Sequence, residues 1–258
     1  MGGDVMEVKQ VVEVATKIGE LLLSSGAEIY RVEDTMRRIG AAYKIEIESF
    51  VMPNGFSATG KTSDGKMITC VKRIKDRTVD LHKIELLNDL SRRIEAEKLS
   101  YDVIVKEIEN IEKLPYFNFP LRILSAGIVA FSFTQLFEGT VLDAFFAFII
   151  TCVIYVLKEK IEKFGFFQFF EYFISGFLAA IFALFVNNFI WTVNIDKVII
   201  GSIMILVPGI AITNAIKDAL YGDIVSSLAR LGEALYIATS IGVGVGFALT
   251  LGIGWVTL

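Results

Sequence analysis

The chain has 258 residues, 54% of them apolar, and a formal charge of −4. Nineteen of its 21 Phe lie beyond residue 115, while the first 115 residues carry 38 of the 54 charged side chains. These numbers exclude disordered, collagen-like and disulfide-scaffold classes. They describe a charged, water-facing front and an apolar back long enough for several membrane spans.

The front balances 18 Lys+Arg against 20 Asp+Glu, which leaves no basic footprint for nucleic acid. The one histidine, His82, and the two cysteines, Cys70 and Cys152, offer no catalytic His pair, zinc spacing or disulfide framework. No metal or cofactor is expected. Met1 to Lys17 has no apolar core of signal-peptide length.

Val8, Val11, Val12, Ala15, Ile18 and Leu22 recur at three- and four-residue steps, the pattern of an amphipathic helix ending at Ser24-Ser25-Gly26. Ser25 and Glu28 fit a capping box opening a second helix, with Ile29, Val32, Met36 and Ile39 as its apolar stripe. Arg31, Glu33 and Asp34 read as a solvated, ion-paired face. The period then changes. Ile45, Ile47 and Val51 alternate with Glu46, Glu48 and Phe50, and Asn54-Gly55 and Asp64-Gly65 supply turns, so a three-stranded meander is expected. Helices resume over Thr78–Glu97, where His82 reads as a surface residue, and over Ser100–Leu114, with Ile104, Ile108 and Ile111 on one face.

Gly55-Phe-Ser-Ala-Thr-Gly-Lys61-Thr62 matches the Walker A spacing. A phosphate loop must open a helix whose amides hold the phosphates. Here Ser63-Asp64-Gly65-Lys66 and a strand-like run follow, so the match is read as a hairpin.

Five apolar stretches follow Pro115: Leu121–Phe137, Val141–Leu157, Tyr172–Ile190, Val198–Ile216 and Ala234–Val256. Each has about the 17–25 residues that cross a hydrocarbon core. Glu138-Gly139-Thr140 joins the first two as a helical hairpin. Lys113, Lys158, Lys160, Lys163, Lys217 and Arg230 fall on one side and Lys197 on the other, which puts the front in the cytoplasm and the C-terminus outside. Trp191 and Trp255 then fall at the outer interface. The expected fold is thus an α+β domain of helices and a small β-meander over 1–114, then an all-α bundle of about five transmembrane helices over 115–258.

Val207-Pro208-Gly209 interrupts the fourth stretch, and Thr213 and Asn214 follow. Proline frees helix carbonyls, and broken helices of this kind form midplane sites in transporters. Pro208, Gly209, Thr213 and Asn214 are therefore the candidate substrate pathway. The semi-polar segment from Lys217 to Glu233 reads as a cytoplasmic connection, and Gly242-xxx-Gly246 as a close helix contact, within the chain or with a partner.

Leu23-Ser-Ser-Gly-Ala-Glu-Ile-Tyr-Arg-Val-Glu-Asp-Thr35, the Arg77–Arg93 helix and Val207-Pro-Gly-Ile-Ala-Ile-Thr-Asn-Ala-Ile-Lys-Asp-Ala-Leu-Tyr-Gly-Asp223 resemble the threonine/serine exporter family. The resemblance covers nearly the whole chain. It implies export of small amino acids or, in some members, dicarboxylates such as succinate. Full-length members carry a second membrane bundle. This sequence resembles the split members, whose second half is a separate small membrane protein of four or five spans.

The expected function is accordingly a subunit of a secondary exporter of small carboxylates in a bacterial-type inner membrane, multi-pass and oligomeric, not an enzyme. Asp143, Asp218, Asp223 and Glu233 are candidates for proton or ion coupling or gating, because apolar surroundings raise carboxyl pKa values. The competing readings are a membrane-anchored regulatory or scaffold protein and a membrane-tethered hydrolase.

Overall fold

The computed structural model describes residues 6–75, 77–115, 117–163, 167–190 and 192–256. Its contacts divide the chain into two compact units: Met1–Pro115 with Ile210–Leu231, and Tyr116–Gly209 with Gly232–Leu258. The segment 210–231, the end of the fourth apolar stretch with most of the semi-polar connection, packs with the front unit.

In the front unit, helices α1 (Val8–Ser24) and α2 (Ile29–Ala42) precede strands β1 (Glu46–Met52), β2 (Gly55–Lys61) and β3 (Met67–Arg73). Helices α3 (Leu81–Glu97) and α4 (Tyr101–Glu112) follow. The sheet is an antiparallel meander in the order β1-β2-β3. Helix α1 is its organising element, because it packs against α2, β2, β3, α3 and α4. Its Val11, Ala15, Ile18 and Leu22 are wholly buried, as are Ile29, Val32, Met36 and Ile39 of α2. At the end of α2, a Cβ on Gly40 would lie 2.6 Å from the Ile45 carbonyl, so only glycine lets the chain turn so closely into β1.

Two turn assignments are corrected. The first hairpin turns on Pro53-Asn54, and Gly55 is already in β2, paired with Met52 and with Arg73. A Cβ there would sit 2.5 Å from the Lys72 carbonyl, so this glycine serves strand contact. The residues Ser25 and Glu28 also form no capping box. They flank the end of α1 instead: Gly26, at φ +88°, donates to Leu23 O, and Ala27 N donates to Leu22 O. This is the double closure of a Schellman motif. The Walker-like residues 55–61 are the whole of β2, so no helix N-terminus stands there to hold a phosphate.

The second unit contains α5 (Phe119–Leu136), α6 (Val141–Lys163), α7 (Gln168–Phe189) and α8 (Ile195–Ile203), which runs into a 3-10 turn over Met204–Leu206. Helix α9 (Gly209–Leu220) belongs to the front unit from Ile210 on. Helix α10 (Ile224–Val256) gives its first two turns to the front unit and the rest to the second. Its 33 residues make about 50 Å of helix, more than a hydrocarbon core of about 30 Å requires. The connection expected over 217–233 is therefore mostly helix, with its break at Tyr221–Asp223.

The interior of the second unit mixes small and branched residues: Ala130, Ala144, Ala147, Ala179, Ala180 and Ala183 are wholly buried, beside Ile154 and Val198. Large side chains such as Phe145, Phe185, Phe189 and Phe247 face outward. That distribution suits helices that pack closely with one another and meet lipid outside. Among the described residues, four helices are long and apolar enough to cross a membrane: α5, α6, α7 and α10. Helices α8 and α9 make a fifth span if taken together, and they are sharply bent at the break between them.

Candidate functional site

The α1–α2 corner gathers residues from the three stretches that carry the family resemblance. Four successive carbonyls leave the corner, and each finds a donor. Ser24 O accepts from Thr78 N at 2.9 Å and Ser25 O from Asp80 N at 3.1 Å, both on the approach to α3. Gly26 O accepts from the Asn214 amide (Nδ2) at 2.9 Å, and Ala27 O from Arg230 Nη2 at 2.9 Å. The positive φ of Gly26 aims these groups outward, a conformation that glycine adopts without a Cβ penalty.

Charge closes the same corner. The first turn of a helix leaves amides without intrahelical partners. Ile29 N, which opens α2, donates to Asp218 Oδ1 at 3.2 Å, so a carboxylate from α9 caps a helix 189 residues away. Arg230 Nε lies 2.9 Å from the other Asp218 oxygen, an ion pair at 7% and 0% side-chain exposure. Glu28 is the N-cap residue of α2 but turns its carboxylate aside, accepting from Arg31 Nε at 2.7 Å and Lys217 Nζ at 2.8 Å. Burial alone would raise that carboxyl, but the Arg31 and Lys217 hydrogen bonds outweigh it and hold the pKa at about 2. Tyr30 and Tyr221 stack at 3.8 Å beside these pairs.

The expected solvated face on α2 is therefore only partly so. Asp34 pairs with Arg37 and Arg38 at the surface, whereas the Glu28–Arg31 pair belongs to the corner. Glu33 accepts from Val51 N, and burial raises its carboxyl against the lowering effect of that bond, with Asp223 adding to the rise.

Of the expected pathway residues, Pro208 and Gly209 fall in the second unit, Thr213 and Asn214 in the front unit. Val207 is extended after the 3-10 turn, so the helix is interrupted at Pro208 as the sequence implies. A Cβ on Gly209 would meet nothing within 4 Å. Asn214 and Thr213 line a cleft of about 750 Å³ in the front unit, together with Arg31, His82, Arg92 and Lys217. His82, read from sequence as an ordinary surface residue, thus stands on a cleft wall.

The four candidate carboxylates have separate surroundings. Asp218 is committed to Arg230 and α2, and half-buried Asp223 starts α10, its N–H donating to Asp218 O at 2.8 Å. Asp143, in the second unit, completes a reciprocal capping box with Thr140: each side chain accepts the other's backbone N–H, at 2.8 and 3.2 Å. Its second oxygen accepts from Asn194 N at 2.8 Å, tying the α5–α6 hairpin to the start of α8. Glu233, half-buried on α10, also lies in the second unit. The Lys163 side chain, Trp191 and the Trp255 side chain lie outside the described residues.

The family model described as "Putative threonine/serine exporter" (ThrE) matches residues 13–252. The chain belongs to the ThrE family. This is a family of exporters, not of enzymes. Among similar proteins, the "Probable succinate transporter subunit YjjP" of Klebsiella aerogenes is 26% identical, with 97% of this chain and 97% of the relative aligned. The "Threonine/serine exporter" of Corynebacterium glutamicum is 23% identical over 96% of this chain and 52% of its own. The "Probable threonine/serine exporter" of Mycobacterium tuberculosis is 23% identical over 95% of this chain and 46% of its own. The chain thus spans about half the length of the threonine/serine exporters it matches and nearly all of the transporter subunit. No solved structure matches it. The ThrE match takes in every residue of the corner and every helix from α5 to α9 in full.

Residues Glu28, Lys217 and Arg230, with the Gly26 and Ala27 carbonyls, are what sequence reasoning did not assign to the corner. A signal was present: polar and charged residues crowd residues 23–35 and 213–233, beside apolar spans where each charge is costly.

Proposed function

We propose that this chain is one subunit of a secondary exporter of small carboxylates, of the threonine/serine or succinate type, working with a separate small membrane subunit. The observation that carries the reading is the helix broken at Pro208 in a chain of an exporter family. Its first half belongs to the apolar bundle, and its second half carries Thr213, Asn214 and Lys217 to the polar cleft of the front unit. Helices interrupted in this way form midplane substrate sites in transporters. The subunit reading is supported by relatives of the same span that bear the word in their names.

The front unit faces the cytoplasm in this reading, and the C-terminus faces outward. The Lys/Arg asymmetry supports that orientation. Lys197, the lone cation expected outside, hydrogen-bonds Phe137 O at 2.6 Å, so the end of α5 and the start of α8 share one end of the bundle. Proton or ion coupling falls to Asp218, Asp223, Asp143 or Glu233. Of these, Asp218 and Asp223 stand in the front unit that holds the cleft. Export of labelled serine, threonine and succinate tests the reading in cells with the gene, without it, and with it restored beside a candidate partner. Efflux of at least one substrate should fall without the gene and return with it. Unchanged efflux of all three would favour a regulatory or scaffolding role.

A further inference from the structure

The cleft beside the corner has one wall with surplus positive charge. On the α9 side, Lys217 falls four residues from Thr213 and three from Asn214, so all three line the cleft. On the α1–α2 side stand Glu28 and Arg31. Two cations around one carboxylate leave this wall with one net positive charge. Neither cation is used up by Glu28. Arg31 turns Nε and Nη2 toward Glu28, but a guanidinium carries five N–H groups. The Lys217 ammonium has three and places one on Glu28. Both side chains are partly exposed, at 35% and 43%, so the remaining donors reach a solute in the cleft.

The facing wall is the outer side of α3, with His82, Glu85, Asp89 and Arg92. It carries both signs. His82 lies 3.8 Å from Glu85, and Asp89 lies 3.9 Å from Arg93, which also reaches Glu107 at 3.5 Å. A volume of about 750 Å³ is within the range of small-molecule sites.

From this we infer that the cleft is a binding site for a small carboxylate, held by Arg31, Lys217 and the Thr213 hydroxyl, with α3 reading the far end of the molecule. A ligand ammonium would meet Glu85 and Asp89, and a second carboxylate would meet Arg92. The inference rests on the exporter reading for its ligand class, but it places recognition in the front unit, outside the apolar bundle. A carboxylate is bound there where charge-assisted hydrogen bonds are made in partly desolvated surroundings.

Equilibrium dialysis of the purified full chain in detergent, against labelled serine and labelled succinate, tests the site. Saturable binding of at least one is expected. Arg31→Gln and Lys217→Gln should each weaken it about tenfold or more, the loss of one charge-assisted hydrogen bond. Thr213→Val should weaken it several-fold, and Lys217→Arg, which keeps the charge, should retain most of it, which separates recognition from folding. Weakening by Arg92→Gln marks a dicarboxylate, and weakening by Asp89→Asn marks an amino acid. Absence of saturable binding of either, or wild-type binding in Arg31→Gln and Thr213→Val alike, would overturn the site. Gene-dependent efflux without such binding defeats the site and spares the exporter reading. Binding lost in these variants, without gene-dependent efflux, does the reverse.

Discussion

Asp218 and Arg230 have left water together, and neither can lose its partner cheaply. Arg230→Met should leave a buried, uncompensated carboxylate and cost about 3–5 kcal/mol. The double variant Asp218→Asn, Arg230→Met should recover part of that loss, because no charge is stranded. Thermal unfolding in detergent checks the pair, and strictly additive losses would show that the two side chains do not act as a unit. Glu28 sets the acid limit of the same corner. Its folded pKa of about 2 lies below the ordinary 4.5, so its contribution is complete above about 4.5 and is lost as pH falls toward 2. The wild-type unfolding midpoint should therefore fall between pH 5 and 3, and Glu28→Gln should flatten that fall. An equally steep acid loss in Glu28→Gln would assign it to other carboxylates.

Among the elements, glycines of the second unit separate two kinds of helix surface. Gly242 and Gly246, spaced as a helix-contact pair, each face open space within the chain. The contact with α7 runs through Gly244, where a Cβ would clash with the Phe173 carbonyl, and through Gly176, where it would sit 2.6 Å from Ile241 O. Gly242→Ala should therefore hold or raise the unfolding midpoint, since alanine is the better helix former. Gly244→Ala should lower it, because a backbone carbonyl cannot swing away. Equal effects would contradict this packing. In strand β2, Lys61→Ala should change nothing in nucleotide binding, and micromolar ATP affinity lost in that variant would revive the phosphate-loop reading. These elements also show what the sequence makes legible. The stripe Ile29, Val32, Met36 and Ile39 announces α2, and the alternation from Ile45 announces β1, because local periodicity reports which face is buried. Where α2 begins was misread, since Ser25-x-x-Glu28 satisfies a capping pattern that the left-handed Gly26 overrides. Its actual cap, Asp218, lies 189 residues away, and no local pattern reports a partner at that distance. The same holds for Asn214, whose amide was legible as polar in an apolar run but not as the partner of Gly26 O.

For the whole molecule, the apolar content beyond residue 115 points to a membrane bundle, and the close helix contacts at buried alanines with outward Phe give that reading its physical form. Hydropathy could not show that 210–231 packs with the front unit, because it weighs each residue without its neighbours. Reporter fusions after Leu114 and Leu258 are expected to report opposite sides, the first cytoplasmic. Both on one side would mean that the α8–α9 pair does not cross. The central claim of the proposed exporter reading is that substrate passes the break at Pro208. A Cβ on Gly209 would meet nothing within 4 Å, so Gly209→Leu adds bulk at the break. Efflux of labelled serine and succinate should be measured in cells carrying this variant together with a candidate partner subunit. Loss of efflux at normal expression and an unchanged unfolding midpoint is the expected result, and wild-type efflux from Gly209→Leu would contradict the account.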